Sequence, residues 1–202
     1  MKTRTLLLWA VGVVAALAAT KAGAQTLVAE FVEIKPGLSI DGTVNGGSFY
    51  PAGLMKFTDF DAFCVDPAQS LSYGETVVYQ VQDPATLANS ATVARLIGGF
   101  LASDQSAAHA TAVQWAIWEI IAETTNPPSL HDGNVIITGP AGLEIADLAN
   151  DYLLNVNSFT PVSLIYLTSD TRQDVVTWQV IPEPATAGLA ALSALVLFRR
   201  RR

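Results

Sequence analysis

Residues 106–124, SAAHATAVQWAIWEIIAET, decide how the rest of this chain is read. The stripe Ala107, Ala110, Gln114, Ile117, Trp118 and Ile121 follows the i, i+3, i+4, i+7 spacing of one helix face. The spacing predicts a helix over Ser106 to Thr124, stopped by Pro127-Pro128. Gln114 stands in that stripe where an apolar residue is expected. A buried amide costs on the order of 1–3 kcal/mol unless it is satisfied, so the sequence calls for a partner to Gln114.

Working outward, the chain changes character on both sides of this helix. Thr26 to Ile34 reads as a strand, and Gly37, Gly42, Gly46 and Gly47 mark a loop-rich hairpin region. Met55 to Val65 holds Phe57, Phe60 and Phe63 and contains a short strand ending near Cys64, broken by Asp66-Pro67. Glu75 to Val81 is β-branched and aromatic, hence a strand. Ala85 to Leu101 is an Ala-rich helix that weakens or ends near Gly98-Gly99. Beyond the central helix come a strand over Gly133 to Thr138, a helix over Leu143 to Leu154, and strands over Val162 to Leu167 and Val175 to Ile181. This order predicts an α+β fold, a β-rich domain carrying a helical insertion. No internal repeat interrupts it.

The two ends read differently. Lys2 and Arg4, an apolar run from Leu6 to Ala19, and Ala22-Gly23-Ala24 have the order of a secretory signal peptide over residues 1–24. The apolar run is shorter than the roughly 20 residues that span a bilayer. At the other end, residues 181–202 hold Ile181-Pro182-Glu183-Pro184, an apolar run from Ala185 to Phe198, and Arg199, Arg200, Arg201 and Arg202. The arginines would hold this tail on the cytoplasmic side, as a stop to transfer. An exported domain over residues 25–180 remains. From Gln25 to Ile181 there are four basic residues against 17 acidic, a net of −13. Such a surface repels phosphate backbones and argues against a nucleic-acid partner. Cys64 is the sole cysteine, so no internal disulfide forms and its thiol is reactive, intermolecular or buried.

Two resemblances follow from these words. The tail resembles the PEP-CTERM sorting signal of Gram-negative bacteria, often ones that make exopolysaccharide. It implies signal peptidase and an exosortase as processing partners, with Pro182, Glu183 and Pro184 as the sorting motif. It also implies transient membrane insertion of the apolar segment, passage through the inner membrane, and a final place at the cell surface or in a biofilm matrix. Phe63-Cys64-Val65-Asp66, followed by Ala112-Val113-Gln114-Trp115-Ala116-Ile117-Trp118-Glu119, resembles the thioester domain of Gram-positive surface adhesins. That resemblance implies a Cys64 sulfur acylated by the Gln114 side chain with loss of ammonia. Phe63 and Trp118 would form the apolar wall. A thioester is a stored electrophile, so an amine or hydroxyl of a surface or polysaccharide would become covalently attached. This is one-shot adhesion, not enzymatic turnover, and it needs no cofactor.

Other arrangements of the same residues compete. Cys64 can be a small buried hydrophobe, with Gln114 bonding a nearby carbonyl in a non-reactive matrix protein. Cys64 with His109 suggests a cysteine hydrolase, although His109 falls off the Gln114 stripe. Asp59, Asp61 and Asp66 suggest Ca²⁺ but lack a Gly-bearing Asp-x-Asp loop, and a solvated acidic edge fits them better. His131 lies in a polar loop, and two histidines with one cysteine make a poor zinc set.

Overall fold

A computed structural model describes residues 25–48, 51–123 and 128–179. The proposed signal peptide and sorting tail, including Pro182-Glu183-Pro184 and Arg199 to Arg202, lie outside the described residues, as does Thr124. Within them the fold is α+β. Chain order gives β1 (Thr26–Leu38), β2 (Gly42–Val44), β3 (Gly47–Ser48), β4 (Ala52–Phe57), β5 (Asp61–Cys64) and β6 (Thr76–Gln82). Then come α1 (Ser90–Ala102), α2 (Ala107–Ala122), β7 (Val135–Ile137) and α3 (Pro140–Leu154), before β8 (Ser163–Thr168) and β9 (Val175–Gln179).

Six strands close into an antiparallel barrel in the order β1-β4-β5-β9-β8-β6, with β6 returning to β1. Strand β1 makes this closure possible because it serves two neighbours in turn. Its first residues pair with β6, from Thr26↔Gln80 to Glu30↔Thr76, and its second part pairs with β4, from Phe31↔Phe57 to Leu38↔Ala52. Register shifts between Phe31 and Glu33 and between Ile34 and Gly37 bend the strand.

Cross-strand partners share a face of a sheet. The pairs Ala29↔Val77, Phe31↔Phe57, Cys64↔Val175 and Leu167↔Val175 are buried and form one side, the barrel interior. The opposite pair Val28↔Val78 is exposed.

A second sheet, β3-β2-β7, flanks the barrel. Between the two sheets lies α2, with Trp115 packed over Gly42 of β2. This position corrects the expected one-sided stripe. From Ala110 to Ile120 every residue of α2 is buried, so the helix is covered all round.

Helix α1 also departs from expectation. It does not begin at Ala85, where Asp83 caps a short 3-10 turn at Pro84–Thr86. It begins at Ser90, behind Asn89, whose Nδ2 donates to Ile120 O of α2 at 2.5 Å. Nor does it weaken at Gly98-Gly99: it runs through both to Ala102. The glycines are there for close approach. A Cβ on Gly98 would collide with the Thr160 carbonyl oxygen, and one on Gly99 would meet the Phe159 ring at 2.7 Å. The missing side chains let α1 press against the segment that leads into β8.

Candidate functional site

The site begins with a strand that loses its partner. Strands β4 and β5 pair only at Lys56↔Asp61 and Met55↔Ala62. Continued, that register would set Gly53 against Cys64. Instead β4 stays with β1, through Gly37↔Gly53 and Leu38↔Ala52. The peptide groups of Cys64 on that side are therefore left without a ladder, and a buried unpaired backbone group is costly.

Gln114 takes the place of the strand. Its Oε1 accepts the Cys64 N–H at 2.9 Å, and its Nε2 donates to the Cys64 carbonyl at 2.9 Å. One amide thus reproduces both bonds of a β-partner across 50 positions of sequence. Gln114 is 1 % exposed and Cys64 2 %. One turn earlier on the same helix, Thr111 does similar work at the neighbouring seam. Its hydroxyl accepts from Leu38 N and donates to Ala52 O, both at 2.9 Å. Thr111 was not among the residues singled out from the sequence. The signal was available, as a polar side chain three residues before Gln114 on a helix otherwise rich in apolar residues.

Cys64, Gln114 and Trp118 line a cavity of about 300 Å³, together with Phe31, Met55, Leu71 and Tyr73. Burial pushes the Cys64 thiol up to about 12, opposed in part by hydrogen bonds from the Trp118 side chain and the Asp66 backbone and reinforced by the charges of Asp66 and Asp174. The buried thiol is accordingly protonated and weakly nucleophilic.

Phe63 does not belong to this wall. It points to the other face of β5, edge-on to Phe100 at 5.4 Å and stacked on Trp178 at 5.8 Å. Successive residues of a strand face opposite ways, so Phe63 and Cys64 cannot line the same cavity while β5 remains regular.

The remaining candidates are dispersed. His109 Nδ1 lies 2.8 Å from Tyr152 Oη, and its ring lines a second cavity beside α3. It is not brought to Cys64. Asp61 pairs with Lys56 at 2.6 Å, Asp59 meets Thr58, and Asp66 caps Ala68 N, so the three carboxylates serve three separate local contacts. His131 approaches Asp147 at 3.2 Å. Among the described residues no cluster of three or more His, Cys, Asp or Glu could hold a metal ion.

One titratable group went unnoticed in the sequence. Glu119, also on α2, is fully buried. Its Oε1 accepts Ser129 N at 2.7 Å, while Oε2 has no hydrogen-bond partner. Burial, with Glu123 and Asp132 nearby, raises its carboxyl to about 7, against the lowering effect of the Ser129 bond.

The chemistry open to the Cys64–Gln114 pair follows from the bonds. The Cys64 N–H already points at Oε1, where negative charge would collect if a sulfur attacked the Gln114 Cδ. The Nε2 that would leave as ammonia is held on the Cys64 carbonyl. Comparison with protein-family models, with curated proteins and with solved structures returns no match.

Proposed function

We propose that this chain is an exported, non-enzymatic surface protein whose Cys64–Gln114 pair forms an internal thioester for one-shot covalent attachment. The observation that carries this reading is the reciprocal hydrogen bonding of the Gln114 amide to Cys64 at the wall of a buried cavity. In the forming step the Cys64 sulfur bonds to Gln114 Cδ, the C–Nε2 bond breaks, and the thiol proton leaves with the nitrogen as ammonia. In the capture step an amine or hydroxyl of a surface or matrix bonds to the same carbon, the C–S bond breaks, and the proton lost by the nucleophile ends on the sulfur. Burial protects the stored acyl group from water. The raised thiol pKa makes sulfur a poor leaving group until the site opens.

Residues 1–24 would direct export and be removed by signal peptidase. Residues 181–202 would route the domain through the inner membrane, where an exosortase acts at Pro182-Glu183-Pro184, toward the cell surface or extracellular matrix.

A second reading is a non-reactive component of a matrix or biofilm. It is favoured by one specific observation: the amide already bridges Cys64 to α2 through both its oxygen and its nitrogen, a structural task that needs no covalent bond. Placement of His109 against Tyr152 gives the third reading, a cysteine hydrolase, no comparable support.

Intact mass of the purified exported domain separates the first two. A thioester protein weighs one ammonia less than its sequence, and Cys64→Ala and Gln114→Ala each give the unmodified mass of that variant. Full mass in the wild type, with a free thiol released on unfolding, refutes the thioester. Replacing Pro182-Glu183-Pro184 by alanines should leave the tail uncleaved, and unchanged processing refutes the sorting reading.

A further inference from the structure

One connection, residues 66–75 between β5 and β6, supplies part of the wall of the cavity beside Cys64. Gln69, Ser70, Leu71 and Tyr73 from this loop line the cavity. The loop is fastened near its two ends and little between. At its start Val65 N donates to Asp174 O at 2.9 Å. At its far end Gly74 N donates to Phe31 O and Phe31 N to Glu75 O, both at 2.8 Å. Tyr73 stacks on Phe31 at 5.4 Å while remaining 63 % exposed. Among the described residues, 67–71 make no backbone hydrogen bond to the body of the domain, and the one bond of Ala68 N is internal to the loop.

Glu75 concentrates the side-chain fastening. Its Oε2 accepts Ser72 N at 3.0 Å, and its Oε1 pairs with the Arg172 guanidinium, which comes from the β8–β9 connection, whose next residue, Gln173, lines the cavity. Arg172 also donates to Thr171 O at 2.7 Å. The ionic partnership holds the Glu75 carboxyl below its usual range. Arg172 is one of only four basic residues between Gln25 and Ile181, so its pairing with the end of this loop is a sparing use of positive charge. The same connection supplies Asp174, whose carbonyl fastens the start of the loop.

We propose that residues 66–75 are a gate over Cys64 and Gln114, latched by Glu75 and Arg172, and that breaking the latch admits reagents to the cavity without unfolding the barrel. The gate concerns the cavity of the proposed function, yet it holds whether Cys64 carries a thiol or an acyl group. Motions of this kind are local openings whose free energy lies below that of global unfolding. A partly exposed ion pair is weak and salt-sensitive, as a latch that must release requires.

The test is the rate at which the cavity admits a small neutral reagent, on the full exported domain. N-ethylmaleimide reports on a Cys64 thiol, and hydroxylamine, which is mostly uncharged at neutral pH, followed by intact mass, reports on an acylated one. Glu75→Gln and Arg172→Gln should each raise the rate about three- to tenfold, with the double variant no faster than the faster single one. Raising NaCl to about 1 M should move the wild type toward the variants, since screening then reaches within a few ångström. Lys56→Gln, which removes the separate Lys56–Asp61 pair, should leave the rate unchanged. Unchanged rates in both latch variants overturn the gate. So does an equal gain in Lys56→Gln, or a gain that matches the loss of global stability measured in urea. Full mass in the wild type refutes the thioester alone, because the maleimide rates still judge the gate.

Discussion

The bridge from Gln114 to Cys64 can be weighed directly. In a Cys64→Ala background no thioester can form, yet the backbone N–H and carbonyl at position 64 remain and the Gln114 amide still spans them. Adding Gln114→Ala removes the amide and leaves two buried backbone groups without partners, where the β4–β5 ladder has already ended at Met55↔Ala62. Each orphaned group costs about 1–3 kcal/mol, so the second substitution should cost about 2–6 kcal/mol. That is a large share of the roughly 5–15 kcal/mol that holds a domain of this size folded. Urea unfolding of the two variants, compared at equal m-value, measures it. The Cys64→Ala change itself removes only a small buried sulfur and should cost far less than the bridge. A bridge below about 1 kcal/mol refutes the view that Gln114 replaces a strand.

Two further outcomes follow from the same helices. Burial pushes the Glu119 carboxyl up to about 7 in the folded chain, above the usual 4.5. The native state therefore holds its proton more tightly, and the stability tied to that proton is full below about 4.5 and lost as pH rises through 7. Glu119→Gln should match the wild type near pH 4.5 and exceed it at pH 9 by up to about 3 kcal/mol. Equal pH dependence of thermal unfolding in the two proteins contradicts the assignment. Gly98→Ala should destabilise by about 1–3 kcal/mol through its clash with the Thr160 carbonyl, although the same change in an open helix would stabilise by about 1 kcal/mol. A rise in melting temperature would show that α1 does not depend on that close approach.

The central helix was legible in the sequence because its signal is local: period, absence of Gly and Pro, and a proline stop. Strands β6, β8 and β9 were legible to within a residue or two over the described residues for the same reason. The closed barrel was not, because closure depends on β1 changing partners between Glu30 and Phe31, a non-local event that leaves no periodic trace. Gly98-Gly99 misled because a helical glycine tolerated for packing looks like a terminator until the neighbour is known. Gln114 could be flagged as a buried amide in need of a partner. That the partner is both peptide groups of Cys64 depends on where β4 stops following β5, and register sets that. Phe63 is adjacent to Cys64 in sequence, but strand alternation turns its side chain to the opposite face, toward Phe100 and Trp178. Glu119 was overlooked because α2 was expected to have an outer face, and a helix buried all round has none.

The position of β9 in the barrel bears on how such a domain would carry load. It is the last described strand, and the chain continues beyond Gln179. It lies between β5, which bears Cys64, and β8, with which it makes five residue pairings. Its pairing with β5 reaches only Val175 and Val176, while Thr177, Trp178 and Gln179 pair with β8 alone, so tension entering at Gln179 loads the β8 ladder first and meets bonds on both sides only from Val176 inward. If a captured partner pulled on Gln114 while the other end of the chain was restrained, the force would pass through α2 into the β1–β4 seam fastened by Thr111, and around a closed ring of strands to β9. The closed ring thus sets its doubly held residues, Val175 and Val176, directly beside Cys64, so the stretch that resists from both sides is the one next to the site of capture.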